Sequence, residues 1–156
     1  MRRKDREITD AEKIRDILEK SKIVHLALMD GDRPYVLDMH YGFEFEEGSL
    51  VLYMHSAKEG KKLDLIRKDG NAAIVLECDI EDVSGGDIPC KYGSKYASVM
   101  AQGTIEIVEE SEEKKNALVR LMFAQTGRAF EINDAMAASV AVLKFTADSY
   151  TAKANV

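Results

Sequence analysis

The sequence has no tryptophan, two prolines and two cysteines. Cys78 and Cys90 belong to no C-x-x-C pair and have no histidine at zinc-finger spacing, so we expect neither a disulfide nor a metal site. No apolar run approaches the roughly 18 residues that cross a bilayer, and no apolar signal segment follows the basic N-terminus. These absences predict a cytoplasmic location without membrane contact.

The composition is that of one compact domain spanning residues 1–156, with 46% hydrophobic and 32% charged residues. The formal net charge of -6 creates a field that repels phosphate, so nucleic acid and anionic membranes are not expected partners. Any site for an anion must therefore be a local concentration of positive charge and hydrogen-bond donors.

The hydrophobic periodicity predicts three helices and six strands. The predicted helices span 9–20, 58–68 and 112–125, the first with Thr9 and Glu12 as a capping box. The predicted strands span 23–29, 34–45, 49–54, 72–77, 99–108 and 140–145, and residues 78–92 are predicted to form a long loop. Hairpins or single short helices join these strands, and no G-x-G-x-x-G motif follows any of them. We therefore expect a mostly β antiparallel barrel with flanking helices, and not a parallel nucleotide-binding sheet.

One segment concentrates the features of a phosphate site. Ser56, Ala57 and Gly60 permit close approach of the backbone where a strand ends and a helix begins, and Lys61 and Lys62 follow at once. The same lysines could instead form the solvated face of a surface helix. Lysines early in a helix oppose its dipole, at a cost of up to ~1 kcal/mol each, unless an anion lies beside them. The position of these lysines therefore favours a bound phosphate.

The chain also carries a set of short motifs in a characteristic order. They are Asp30-Gly31, Pro34-Tyr35-Val36, Tyr41-Gly42, His55-Ser56-Ala57, Glu59-Gly60-Lys61-Lys62-Leu63, Tyr96-x-Ser98-Val99 and Gly103-Thr104-Ile105-Glu106. Over nearly its whole length the chain resembles the pyridoxamine 5′-phosphate oxidase-related split barrels, most closely the Nim-type nitroimidazole-resistance branch. The resemblance implies a six-stranded antiparallel split β-barrel that binds FMN, and a homodimer with the cofactor at the subunit interface.

The resemblance also implies which residues would hold the cofactor. Gly60, Lys61 and Lys62 match the family's phosphate segment, with Lys62 as the phosphate lysine. His55, Ser56 and Ala57 would lie beside the ribityl chain and phosphate. The strand Asp38-Met39-His40-Tyr41 would line the flavin ring. This strand departs from the Val-Pro-Leu-Asn usual in the branch, and Asp69-Gly70 replaces the usual Asn-Pro after the helix.

The three histidines and two of the tyrosines allow more than one interpretation. His25 lies in an apolar strand, where we expect a packed or hydrogen-bonded structural residue. His40 and His55 could point into one pocket, and His55 could border the flavin, act as an acid or base, or ligate haem iron. Tyr92 and Tyr96 belong either to a surface hairpin or to a loop that closes the flavin site of a neighbouring subunit.

The leading functional hypothesis is an FMN-dependent oxidoreductase, resembling flavin reductases, that acts on a small molecule such as a nitroaromatic compound. Because flavin carries the chemistry, no catalytic triad or metal cluster is needed. The alternative is a module that binds FMN or haem without turnover. Oxidation of pyridoxamine 5′-phosphate is disfavoured, because residues 150–156 lack the basic and histidine residues with which the authentic oxidase holds its substrate.

Overall fold

The structure, a computed structural model, describes residues 3–156 and contains seven strands and four α-helices. The strands are β1 (Glu7–Ile8), β2 (Ile23–Asp30), β3 (Arg33–Glu46), β4 (Ser49–Ser56), β5 (Asn71–Val83), β6 (Gly93–Val108) and β7 (Ala141–Asn155). The α-helices are α1 (Ala11–Lys20), α2 (Lys61–Lys68), α3 (Ser111–Thr126) and α4 (Asp134–Ala138), with 3-10 turns at Lys4–Arg6 and Pro89–Lys91. None of the helices within residues 3–156 is long and apolar enough to span a bilayer.

The strands form one antiparallel sheet that closes on itself. Their order is β1-β7-β4-β3-β2-β5-β6, and β7 pairs with β6 as well as with β4. Six long strands therefore form a barrel, while the two-residue β1 pairs only with β7. This arrangement confirms the predicted split barrel with flanking helices.

Alternation along the strands separates a core from an outer face. Leu26, Met54, Leu76, Val99 and Leu143 are completely buried and come from five different strands. Burying an aliphatic side chain of this size contributes about 1.5–3 kcal/mol, so the barrel interior is the main source of stability. The residues that alternate with core residues along each strand point outward, and helices cover part of this outer surface.

Two of the three predicted helix starts differ from the observed ones by more than one residue. Asp10, and not Thr9, caps α1, because its carboxylate accepts hydrogen bonds from the backbone N–H groups of Glu12 (3.0 Å) and Lys13 (3.1 Å). The second helix begins at Lys61 and not at residue 58, because Gly60 has φ 132° and ψ 162°, which no helical residue adopts.

The predicted loop at residues 78–92 is strand as far as Val83, and residues 84–92 connect β5 to β6. A register shift between Cys78 and Glu81 lets β5 continue to Val83, and β6 begins at Gly93. Residues 79–95 thus form a two-stranded arm, which we call the β5–β6 arm. Its apolar side chains Ile80, Ile88 and Tyr92 are exposed.

Helix α3 packs closely on the outer face of β3 and β4, at a position that requires glycine. A Cβ atom added to Gly42 would lie 2.5 Å from the backbone nitrogen of Leu121 and 2.6 Å from the carbonyl carbon of Arg120. The helix C-terminus is held to β3 as well, since the Gln125 side-chain amide donates to the Tyr41 carbonyl at 2.8 Å. Contact between two backbones therefore fixes α3 against the barrel.

We expect Gly42→Ala to lower the free energy of unfolding by about 1–3 kcal/mol, because the helix backbone has to move away from the added methyl group. Gly93→Ala is the matched control, since a Cβ atom at Gly93 meets nothing within 4 Å. Chemical denaturation of both variants measures the difference. Equal free energies of unfolding for the two variants would show that close packing of α3 on Gly42 does not contribute to stability.

Candidate functional site

The end of β4 and the start of α2 form a loop with free backbone donors. The exposed residues 57–60 join Ser56 to Lys61, and the Gly60 carbonyl accepts from the N–H groups of Leu63 (2.9 Å) and Asp64 (3.4 Å). Within residues 3–156, the N–H groups of Lys61 and Lys62 donate to no protein atom. Two backbone donors at a helix N-terminus are thus available to an anion.

The two lysines at this terminus are in different environments. Lys61 Nζ lies 2.6 Å from Asp30 Oδ2 and 4.9 Å from the centre of the Tyr35 ring, so its charge is paired with the β2–β3 hairpin. Lys62 has no ion pair or side-chain hydrogen bond among the described residues. Of the two lysines, Lys62 is therefore the one whose ammonium group is free to meet a ligand.

His40 and His55 lie beside this terminus on the outer face of the barrel. His40 directly precedes Tyr41 in β3, and His55 directly follows Met54 in β4. Tyr41 and Met54 pair with each other, and their side chains point into the core. Partial burial lowers the pKa of His55, and the nearby charges of His40 and then Lys62 lower it further. His55 is consequently a neutral imidazole at pH 7 within a locally positive group of side chains, on a chain whose net charge is -6.

The other residues of the predicted ring-lining strand divide between the two faces. Met39 and Tyr41 point into the core, where the Tyr41 hydroxyl donates to the carbonyls of Leu18 (2.8 Å) and Ser21 (3.2 Å) and burial raises its pKa. These two positions can meet a cofactor only through their backbone. Asp38 points outward beside His40, as the strand alternation requires.

The remaining predicted residues of the loop and the tyrosines are not all brought together. Ser56 is buried and donates to the Ala57 carbonyl at 2.9 Å. Tyr92 is exposed on the β5–β6 arm and donates to the Gly86 carbonyl at 3.1 Å, while Tyr96 lies under Lys153. Strand β7 pairs with both β4 and β6, but His55 lies opposite Val142 near the start of β7, whereas Tyr96 lies opposite Asn155 at its end. Within one chain the two tyrosines are therefore apart from His55 and Lys62.

Two features of this face were not predicted from the sequence. His25 is hydrogen-bonded, as expected, but its partners are the carboxylates of Asp38 and Glu77, the latter 52 residues away. The buried Ser98 hydroxyl has no hydrogen-bond partner within residues 3–156. Leaving a buried hydroxyl without a hydrogen-bond partner costs free energy. Only the motif Tyr96-x-Ser98-Val99 gave any sequence signal for it.

Comparisons with known proteins agree with this architecture. A sequence profile described as pyridoxamine 5′-phosphate oxidase matches residues 10–154. A solved structure from Bacteroides thetaiotaomicron, provisionally assigned to 5-nitroimidazole antibiotic resistance, is 29% identical, with a TM-score of 0.79 over 95% of this chain and 86% of its own. Among proteins with curated descriptions, none is significantly similar in sequence.

Two further solved structures share the fold at lower identity. The flavocytochrome Anf3 of Azotobacter vinelandii has a TM-score of 0.78 and 16% identity, over 100% of this chain and 72% of its own. The FAD- and heme-binding protein of Mycobacterium smegmatis has a TM-score of 0.79 and 18% identity, over 96% of this chain and 73% of its own. At these identities the likeness concerns the fold alone.

We expect His55 to titrate below the ordinary histidine value of 6.5 in an NMR titration of the wild-type chain. Lys62→Met removes one of the two charges that lower this pKa, so the value should rise but remain depressed by burial. Lys61→Met is the matched control, because the Lys61 charge is paired with Asp30 and is not among the causes of the shift. A His55 pKa above 6.5 would contradict the described electrostatics.

Proposed function

The chain belongs to the pyridoxamine 5′-phosphate oxidase family, and from that premise we propose that it binds FMN and acts as an FMN-dependent oxidoreductase on a small molecule. The observation that carries the proposal is the start of α2, where the N–H groups of Lys61 and Lys62 have no partner among the described residues and Lys62 has no ion pair. A phosphate monoester has the charge and the acceptor oxygens that such a terminus stabilises.

The residues around Gly60 fit the phosphate end of FMN. Its φ of 132° strains any residue with a side chain, and the space beyond it is open. The backbone of Gly60 to Lys62 can therefore lie directly against phosphate oxygens, with Lys62 Nζ as the charged partner. Lys61 would contribute its N–H group, while its side chain stays with Asp30.

The outer face of β3 and β4 supplies the polar surface for the rest of the cofactor. His40 and Asp38 project from β3 and His55 projects from β4, next to the phosphate site. A neutral His55 can donate from one ring nitrogen and accept at the other, so it can hold or move a proton near pH 7. When bound, FMN would supply the redox chemistry, and these side chains would orient the ring and its reaction partner.

We further propose that the working unit is a homodimer. The outward side chains of β2, β3, β5 and β6, which we call the open sheet face, include the exposed apolar residues Ile23, Val36 and Met100. Two cavities of about 200 and 390 Å³ lie along it. A second copy would cover this apolar surface, and its β5–β6 arm could bring Tyr92 and Tyr96 to the phosphate site.

The substrate class follows from the cofactor and from one comparison. Electrons would come from a reduced nicotinamide or another donor and pass to a small acceptor. The resemblance to the Bacteroides protein, at 29% identity, favours a nitroaromatic acceptor. If the start of α2 holds the phosphate of FMN, none of the residues described above remains to bind the phosphate of pyridoxamine 5′-phosphate.

A second candidate function is a haem-binding module without turnover. The unprotonated imidazole of His55, with His40 beside it, is the chemical form that ligates haem iron. The names of two structures with the same fold include a cytochrome and a heme-binding protein, and both of those proteins fall below 20% identity to this chain. The visible spectrum distinguishes the two functions.

We expect fluorescence titration to show FMN binding, and Lys62→Ala to weaken it by about 1.5–3 kcal/mol, or roughly 10- to 150-fold, through loss of a charge-assisted phosphate contact. Lys68→Ala, which removes the same charge from the last residue of α2, is the matched control and should leave the affinity unchanged. If Lys62→Ala binds FMN as the wild type does, the phosphate site lies elsewhere.

The purified protein, reconstituted with FMN if necessary, should show paired flavin absorbance bands that NAD(P)H bleaches under anaerobic conditions. Riboflavin, which lacks the phosphate, is the control ligand and should bind much more weakly. A Soret band would favour the haem module instead. If FMN binds but NAD(P)H does not reduce it, the proposed cofactor site stands and NAD(P)H is excluded as the electron donor.

A further inference from the structure

His25 occupies the middle of the open sheet face and connects three strands. Its Nδ1 atom lies 2.7 Å from Asp38 Oδ1 on β3, and its Nε2 atom lies 3.0 Å from Glu77 Oε1 on β5. The row Asp38, His25, Val75 and Met100 crosses β3, β2, β5 and β6 in direct register. The cluster of His25, Asp38 and Glu77 therefore lies within the surface that a second copy would cover.

The two contacts determine the protonation state of the ring. An ionised carboxylate only accepts hydrogen bonds, and a neutral imidazole has a single N–H group. Both contacts are hydrogen bonds at once only if both ring nitrogens carry protons. The cluster then has two negative charges and one positive charge, and loss of the histidine proton doubles its net charge from -1 to -2.

The surrounding charged groups leave this proton as the only positive charge in the cluster. Glu77 and then Asp38 raise the pKa of His25, and burial opposes them only in part. Lys20 of α1 is bound to Asp16 and Asp79, and Lys22 donates to the backbone carbonyls of Glu19 and Ala124. Lys153 of β7 lies over the Tyr96 ring. No cation among the described residues is thus paired with the cluster in place of the histidine proton.

We propose that the proton on His25 controls self-association through the open sheet face, so that the dimer forms while the cluster is protonated and weakens when the proton leaves. This inference rests on the proposed homodimer. In a two-fold interface both copies present the same patch, so each dimer buries two copies of the cluster. Burying charge is costly, and the cost rises with the net charge of each cluster.

The direction of the pH dependence follows from the net charge that each protonation state of the cluster would bury in the interface. Below the ordinary histidine pKa the cluster is fully protonated, and its contribution to association is complete. Because the deprotonated cluster is costlier to bury, the dimer keeps its two His25 protons to a higher pH than the free chains do, and at high pH dimer formation requires the uptake of protons. The dissociation constant of the dimer should therefore increase with pH, by tenfold or more between about pH 6 and about pH 9.

Sedimentation velocity of the full chain without added cofactor, at several concentrations and at both pH values, tests the inference. The wild type should be dimeric at the lower pH and dissociate more readily at the higher one. His25→Gln, which has no titrating group, should lose most of this pH dependence. Asp79→Asn is the matched control, because Asp79 lies two residues beyond Glu77 but binds Lys20 at 3.1 Å, so it should behave as the wild type does.

The outcomes separate this inference from the proposals on which it rests. A wild-type chain that is monomeric at every pH overturns both the dimer and the inference, whereas FMN binding is measured independently. A dimer whose dissociation constant does not change with pH, or a His25→Gln dimer with the wild-type pH dependence, overturns the inference and leaves the dimer intact.

A second variant covers the case in which His25→Gln does not fold, as judged by circular dichroism. Asp38→Asn removes one of the two carboxylates, so the cluster is neutral when protonated and carries only -1 when the proton is lost. We expect its dimer to be roughly tenfold tighter than the wild type at about pH 9. An Asp38→Asn dimer as weak as the wild-type dimer at that pH would overturn the inference.

Discussion

The double pairing of β7 is the constraint on which the rest of the structure depends. Its first residues pair with β4, from Val51–Thr146 to Ser56–Ala141, and the whole strand pairs with β6. Closure requires a bend at Gly103, where the register shifts and where a Cβ atom would lie 2.0 Å from the Thr146 carbonyl oxygen. Closure completes the core, and the pairing with β7 fixes the end of β4 from which the loop to α2 departs.

The sequence was informative wherever local chemistry determines structure. Apolar periodicity predicted the core-facing parts of all six long strands and the three longest helices, because burial in the barrel produces that pattern. Apolar periodicity did not predict the parts of β5 beyond Glu77 and of β7 beyond Phe145. There the strands are held by backbone pairing in the arm and along β6, and their partly polar side chains show no apolar alternation. The short α4, capped by Asn133, was also missed.

The candidate site shows the same division between local and distant information. Lys61, Lys62 and the small residues before them were visible in the sequence, but the helix was predicted to begin at residue 58, so only the structure shows that the N–H groups of Lys61 and Lys62 are the free ones. The pairing of Lys61 with Asp30 and the bridge from His25 to Glu77 depend on residues 31 and 52 positions away, which only the fold brings together. Strand alternation alone would have assigned Met39 and Tyr41 to the face opposite His40, and thus to the core.

The proposed function depends on the start of α2 holding the phosphate of FMN. A crystal structure of the protein with FMN bound tests it most directly. We expect phosphate oxygens within hydrogen-bond distance of the Lys61 and Lys62 N–H groups and of Lys62 Nζ, with the flavin ring extending toward His55 and His40. A phosphate group bound away from this helix terminus, with Lys62 still in solvent, would show that the start of α2 is not the phosphate site.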